Sequence, residues 1–116
     1  MLPANHRMRA SWEFRDTMRR GVRAARPTLV LHAQQLPSPP SRVGFVVSRT
    51  VGGAVVRNRV KRQLRHLVAP HLNDSTPMAV VVRALPAASQ QSERLRDDLA
   101  SAWSTIQRRL GSGGAS

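Results

Sequence analysis

The chain has 116 residues, enough for about one domain with a single modest core. It carries 19 Lys and Arg against 6 Asp and Glu, a formal charge of +13, which concentrates phosphate-bearing partners and makes their binding steeply salt-dependent. No Cys is present, which excludes disulfides, thiolate metal sites and Cys nucleophiles. MLPANHRMRA lacks the apolar stretch of a signal peptide and no apolar run reaches the length of a membrane span, so a soluble cytoplasmic protein with no membrane partner is expected.

In chain order, residues 1–10 read as a flexible basic arm. Ser11 is placed to cap a short helix with Glu13 in its first turn, where a carboxylate suits the positive end of the helix dipole. Phe14 and Met18 share a face of that helix, and Gly21 stops it. TLVLHAQQ (28–35) alternates as a strand, with Leu29, Leu31 and Ala33 on one side and Val30, His32 and Gln34 on the other. The prolines of LPSPPS end it. RVGFVVSR (42–49) is expected to return as the second strand of a hairpin, richer in β-branched residues and central in the sheet. After the VGG break a basic helix spans 54–67; 70–77 is a loop, and MAVVVR (78–83) a third strand. Ser89 or Ser92 caps a last helix whose Leu95, Leu99, Ala102, Trp103, Ile106 and Leu110 form one stripe, and GSGGAS (111–116) is a disordered tail. The order predicts an α+β fold, a two-layer sandwich with a small mixed sheet, and a single domain over 1–110. Three strands make a narrow sheet, so a fourth short one is allowed in the 20–30 region.

The charge is uneven. Between Asp16 and Asp74 lie 11 Lys or Arg and no acid. On the basic helix, Val56, Val60, Leu64 and Leu67 fall within an arc of about 80° and form the packing face. Arg57, Lys61 and Arg65 follow at i, i+4, i+8 beside it, Arg62 lies further round, and Arg59 flanks the arc from its other side. Like charges at i, i+4 cost a few tenths of a kcal/mol each, and no Glu relieves them here. A helix needing only solubility mixes signs, so the stripe points to a bound polyanion. Asn58, a poor helix former between two arginines, either caps a frayed first turn or bonds directly to a ligand or the neighbouring turn.

Through FRDTMRRG, RVGFVVSRTVGGAVVRNRVKRQLRHL and AVVVRALPAAS, in that order and spacing, the chain resembles the protein subunit of bacterial ribonuclease P over about residues 7 to 110. The stretch RNRVKR after a VGFVVS strand and a glycine turn is the specific part of the likeness. The resemblance implies a protein cofactor of an RNA enzyme that removes the 5′ leader from precursor tRNA. One protein would partner one catalytic RNA. That RNA holds the active site and its Mg²⁺, so the polypeptide would bind no cofactor and supply no catalytic residue. Contacts with the catalytic RNA are implied for Arg49, Arg57, Asn58, Arg59, Lys61, Arg62 and Arg65, and a cleft for the leader at Phe14, Met18 and His32. Met18 and His32 stand where relatives often carry Phe and Tyr, and Gly53 where they often carry Asn or Lys. A leader grip resting more on charge and less on stacking follows. The resemblance also implies a left-handed β-α-β crossover, against the general rule.

Two other classes compete. A ribosomal-type structural RNA-binding protein would share the basic helix without turnover. A protein-only nuclease would need converging carboxylates, whereas Glu13, Asp16, Asp74, Glu93, Asp97 and Asp98 read as solvated surface acids. His6, His32, His66 and His71 show no zinc spacing; His32 is either a cleft residue or ordinary strand surface, and the other three read as solvent or RNA-backbone contacts. Trp103 falls on the apolar stripe, and Trp12 is left between RNA contact and plain surface.

Overall fold

The computed structural model describes residues 6–8, 10–72 and 76–115. Its elements are α1 (Ser11–Arg20), β1 (Val22–Ala25), β2 (Leu29–Gln35), β3 (Arg42–Val46), α2 (Ala54–Val68), β4 (Met78–Ala84), α3 (Ala87–Gln90) and α4 (Leu95–Ala115), with 3₁₀ turns at Ala69–His71 and Ser92–Arg94. The strands form one mixed sheet in the order β1-β2-β4-β3. β1 and β2 form a hairpin, β2 pairs antiparallel with β4, and β3 runs parallel to β4 with α2 as the connection between them.

The alternation read in β2 sorts the two faces. Leu29, Leu31 and Ala33, with Val80, Val82 and Val43, join Val60, Leu64 and Val68 of α2 and Leu95, Leu99, Trp103 and Ile106 of α4 in the main core. The opposite face carries a smaller cluster: Met8, Ala79 and Val81, packed against Phe14, Met18, Leu36 and Val46. On that side α1 lies over β2 and β4. Gly21 lets α1 end hard against β2, since a Cβ there would stand 2.4 Å from the Ala33 carbonyl oxygen.

The fold departs from the sequence reading in several places. The fourth strand, β1, lies where it was allowed. β3, however, is not the partner of β2 and is not central; β4 lies between them. All of Met78–Val82 is buried, so β4 needs cover on both faces and takes an interior position, while β3 accepts an edge. β3 also ends at Val46, short of Arg49. Part of the basic arm is docked: Met8 N–H donates to the Val43 carbonyl at 3.0 Å, and Arg7 bridges Val43. The free edge of β3 offers those backbone partners, and Met8 is buried there. Residues 1–5 and 9 of the arm lie outside the described residues.

Ser11 is the first residue of α1 and not its cap. Ala10 holds the cap position, and its N–H donates to Glu13 Oε1 at 3.3 Å. Neither Ser89 nor Ser92 caps α4. Ser89 sits in α3 and donates its hydroxyl to the Val51 carbonyl at 2.9 Å, while Ser92 opens a 3₁₀ turn that leads into α4 at Leu95. α4 continues to Ala115 where a disordered tail was expected. Gly in a helix costs about 1 kcal/mol but does not forbid it, and no Pro stops the helix there.

Candidate nucleic-acid interface

The interface is built around α2 and the turn before it. Gly52 takes φ +155, and a Cβ there would stand 2.8 Å from Val56 Cγ1, so both backbone and space require glycine. Gly53 caps α2 through its backbone alone and faces open space. The turn is fixed by Val51 N–H to Ser48 O (3.1 Å), Gly52 N–H to Arg49 O (3.2 Å) and the Ser89 hydroxyl.

From this start the packing face falls as the spacing predicts. Val60 and Leu64 are fully buried, with Val56 and Leu67 packed against them. Asn58, Arg59, Arg62 and Arg65 are exposed, Arg57 and Lys61 half-buried, and Arg49 exposed in the turn. Asn58 makes no hydrogen bond to the first turn, so the capping role is not realised among the described residues. The ion pairs found are Arg20–Asp16 at 3.1 Å and Arg42–Glu13 at 2.8 Å. Among the described residues no α2 cation has a carboxylate within ion-pairing distance.

The cations of α2 divide between two sides. Lys61 and Arg65 close a cavity of about 170 Å³ with Arg7, Met8, Phe14, Val43, Gly44 and Phe45, and so reach around the β3 edge. Arg62 and His66 face α4, across a cavity of about 440 Å³ floored by Leu67 and Leu95.

On the α1 side of the sheet the leader-cleft residues do not form one tight cluster. Phe14 lies over Gly44, where a Cβ would meet its Cε1 at 2.4 Å, and Met18 packs in the same cluster beside Val81. His32 belongs to the same face: Arg23, His32, Val81 and Gly44 align across the four strands. The next row on that face is Ala25, Val30, Arg83 and Val46. His32 is 8% exposed, its Nε2 lacks a partner among the described residues, and burial, then Arg83 and then Arg23, push its pKa below the ordinary 6.5. A neutral, underbonded imidazole between two guanidinium groups is suited to a phosphate, which would favour its protonation. Arg23 and Arg83 were absent from the sequence reading. Strand register alone puts them beside His32.

Three of the five described acids are structural, against the surface reading. Glu13 pairs with Arg42, Asp16 accepts from Gln34 Nε2 at 2.9 Å, and buried Asp98 accepts from Thr28 N–H (3.1 Å) and hydroxyl (2.7 Å). Glu93 and Asp97 are exposed, as expected, and Asp74 lies outside the described residues. Among the described residues no three His, Asp or Glu converge to hold a metal. His71 stacks on Trp103, centroids 5.1 Å apart, and His6 Nδ1 lies 2.7 Å from the Ser41 carbonyl oxygen; both were expected at solvent or RNA. Their neighbours are distant in sequence, and no local pattern announces them. Trp103 is in the core, whereas Trp12 is 63% exposed. No described helix is long and apolar enough to cross a membrane.

The family model described as Ribonuclease P matches residues 2–107. A Nocardioides protein named ribonuclease P protein component is 54% identical over 96 residues, covering 79% of this chain and 82% of that one. A Mycobacterium protein of the same name is 52% identical over 106 residues, covering 88% and 90%. Among solved structures, the RNase P protein of Staphylococcus aureus superposes with a TM-score of 0.79 at 21% identity, over 88% of this chain and 97% of that one. That of Thermotoga maritima gives 0.71 at 24%, over 88% and 96%.

Proposed function

The chain belongs to the ribonuclease P protein family, and from that premise we propose that its two faces have separate tasks, α2 holding the catalytic RNA and the α1 face of the sheet holding the leader of precursor tRNA. It is the protein component of an endoribonuclease whose partner is the ribonuclease P RNA. The finer assignment is as follows. Arg49, Arg57, Asn58, Arg59, Lys61, Arg62 and Arg65 contact the catalytic RNA. Phe14, Met18 and His32 line the leader cleft, and Arg23 and Arg83 supply charge beside it. Residues 1–110 act as one RNA-binding domain.

The observation that carries the reading is the absence of any carboxylate within ion-pairing distance of the α2 cations among the described residues. Arg offers a flat fork of donors suited to phosphate, and clustered guanidinium groups repel one another until an anion arrives. The protein brings two RNAs together and lowers the Mg²⁺ needed to screen them. Cleavage belongs to the RNA, since the described acids are committed to the fold or lie apart on its surface.

The test is reconstitution with a bacterial ribonuclease P RNA at low Mg²⁺, following cleavage of precursor tRNA. Cleavage well above that of the RNA alone is expected. No gain overturns the assignment, and cleavage by the protein alone overturns the division of labour. Phe14→Ala should weaken precursor tRNA binding more than mature tRNA binding; equal losses would misplace the cleft.

A further inference from the structure

A second group of arginines lies far from α2, at the β1 edge and the last turns of α4. Thr105 Oγ1 accepts from Arg26 Nη2 at 2.9 Å and from Arg108 Nη2 at 3.3 Å. Arg26 also donates to Ser101 Oγ (3.0 Å) and the Ala25 carbonyl (2.7 Å), and Arg109 donates to the Arg23 carbonyl. Three guanidinium groups, those of Arg26, Arg108 and Arg109, are therefore held on neutral oxygens. Among the described residues none of the three has a carboxylate within ion-pairing distance.

The three are not equally occupied. A guanidinium has five N–H donors. Arg26 has most of its donors bound to α4 and the hairpin, and so serves the fold. Arg108 and Arg109 are exposed, and among the described residues each reaches the protein through a single nitrogen, leaving most donors open. Together with Val22 and Thr105 they line an open cavity of about 540 Å³.

The place of this group decides its ligand. β1 and β3 are opposite edges of the sheet, about 14 Å apart across three strand spacings. Lys61 and Arg65 reach around the β3 edge, so the α4 arginines stand at the other end. Arg23 connects them to the cleft: its position shares the row of His32, Val81 and Gly44, and its carbonyl holds Arg109. We propose that Arg108 and Arg109 form a phosphate seat beyond the β1 edge, where a single-stranded leader that has crossed Phe14, His32 and Arg23 is held by its backbone. The seat rests on the leader-cleft reading and extends it. It reads charge and not base identity, and it acts only on leaders long enough to cross the sheet.

The test uses the reconstituted holoenzyme and two precursor tRNAs, one with a leader too short to cross the four strands and one several times longer. The variant is Arg108→Gln with Arg109→Gln in the full chain, checked for unchanged thermal unfolding. Losing two phosphate contacts on a single strand lowers the slope of log K against log salt by about 1.4, roughly a 25-fold loss at 0.1 M relative to a 1 M reference. That loss is expected for the long leader alone, with binding of the short leader and of the catalytic RNA unchanged. Arg108→Lys with Arg109→Lys should keep most of the slope, and this charge-preserving pair decides the matter if the Gln variant unfolds. Equal losses on both leaders, or no loss, overturn the proposal, and weakened assembly with the catalytic RNA reassigns the patch to that RNA. Phe14→Ala runs beside it. If that variant binds both precursors normally, the cleft itself is wrong, an outcome distinct from failure of the α4 seat alone.

Discussion

Gly44→Ala tests the seat of the proposed leader cleft without touching a charge. On β3 the new Cβ would stand 2.4 Å from Phe14 Cε1, 2.5 Å from its Cζ and 3.0 Å from Met8 Sδ. Ordinary contact begins near 3.4 Å, so the ring must retreat by about 1 Å or α1 must lift from the sheet. Overpacking of this kind costs about 1–3 kcal/mol. For a domain of this size that lowers the thermal midpoint by roughly 4 °C per kcal/mol. Precursor tRNA binding should fall with it, while assembly with the catalytic RNA, which the proposal gives to α2, should stay intact. Adding Phe14→Ala removes the clash, so the double variant should be more stable than the sum of the singles predicts, by about 1 kcal/mol or more. Unfolding curves, precursor tRNA titrations and assembly titrations check the three statements. If Gly44→Ala unfolds at the wild-type temperature and binds precursor normally, Phe14 does not sit where the reasoning needs it.

Arg57→Ala and Arg62→Ala should each weaken holoenzyme assembly and flatten its salt dependence by about one unit of slope; unchanged assembly in both would return α2 to a solvated face. Because burial, Arg83 and Arg23 hold His32 below 6.5, the stability it contributes as a neutral group is complete above pH 6.5 and lost as the pH falls through 6.5 toward its lower folded value. A phosphate among these three groups favours the imidazolium, so precursor affinity should rise on acidification in the wild type and not in His32→Gln; parallel pH profiles would remove the phosphate from that site. Asp98→Ala strips Thr28 N–H and hydroxyl of their acceptor and should cost about 2 kcal/mol in denaturant unfolding, with no effect on the salt slope of assembly; unchanged unfolding would refute the pinning role.

What was legible in the sequence was local. Period 3.6 in 54–67 and 95–110 placed Val60, Leu64, Trp103 and Ile106 in the core, and period 2 in 29–35 sorted the two sheet faces. Strand order was not local. A long proline-bearing connection between two strand-like segments is compatible with a hairpin, and what excludes it is β4, which must be covered on both sides and so displaces β3 to the edge. The same limit hid Arg23 and Arg83. They are separated from His32 by nine and fifty-one positions and meet it only through register. Asp98 read as a surface acid because its partner, Thr28, lies 70 residues away. Of the proposed leader cleft, the resemblance supplied Phe14, Met18 and His32, but Gly44, which seats Phe14, carries no signal except the absence of a side chain in a strand.

If α2 and the α1 face take separate RNAs as proposed, the edge position of β3 is what lets one small domain serve both. Had β3 been central, strands on both sides would have separated α2 from the α1 face. At the edge, Lys61 and Arg65 of α2 and Phe14 of α1 meet in one cavity around Gly44 and Phe45. A ligand on the α2 stripe and a strand on the sheet face therefore approach within the width of a single strand. Two polyanions brought that close repel strongly unless cations stand between them, and Lys61 and Arg65 occupy that position. Acids there would cancel the effect, and among the described residues the α1 acids face other partners: Glu13 is turned to Arg42, and Asp16 to Arg20 and Gln34. The pairing that stiffens α1 thus also keeps negative charge away from the junction. On this reasoning Glu13→Gln should loosen the arm and α1 yet leave the charge between the two RNAs unchanged, whereas Lys61→Glu should weaken leader binding and assembly together.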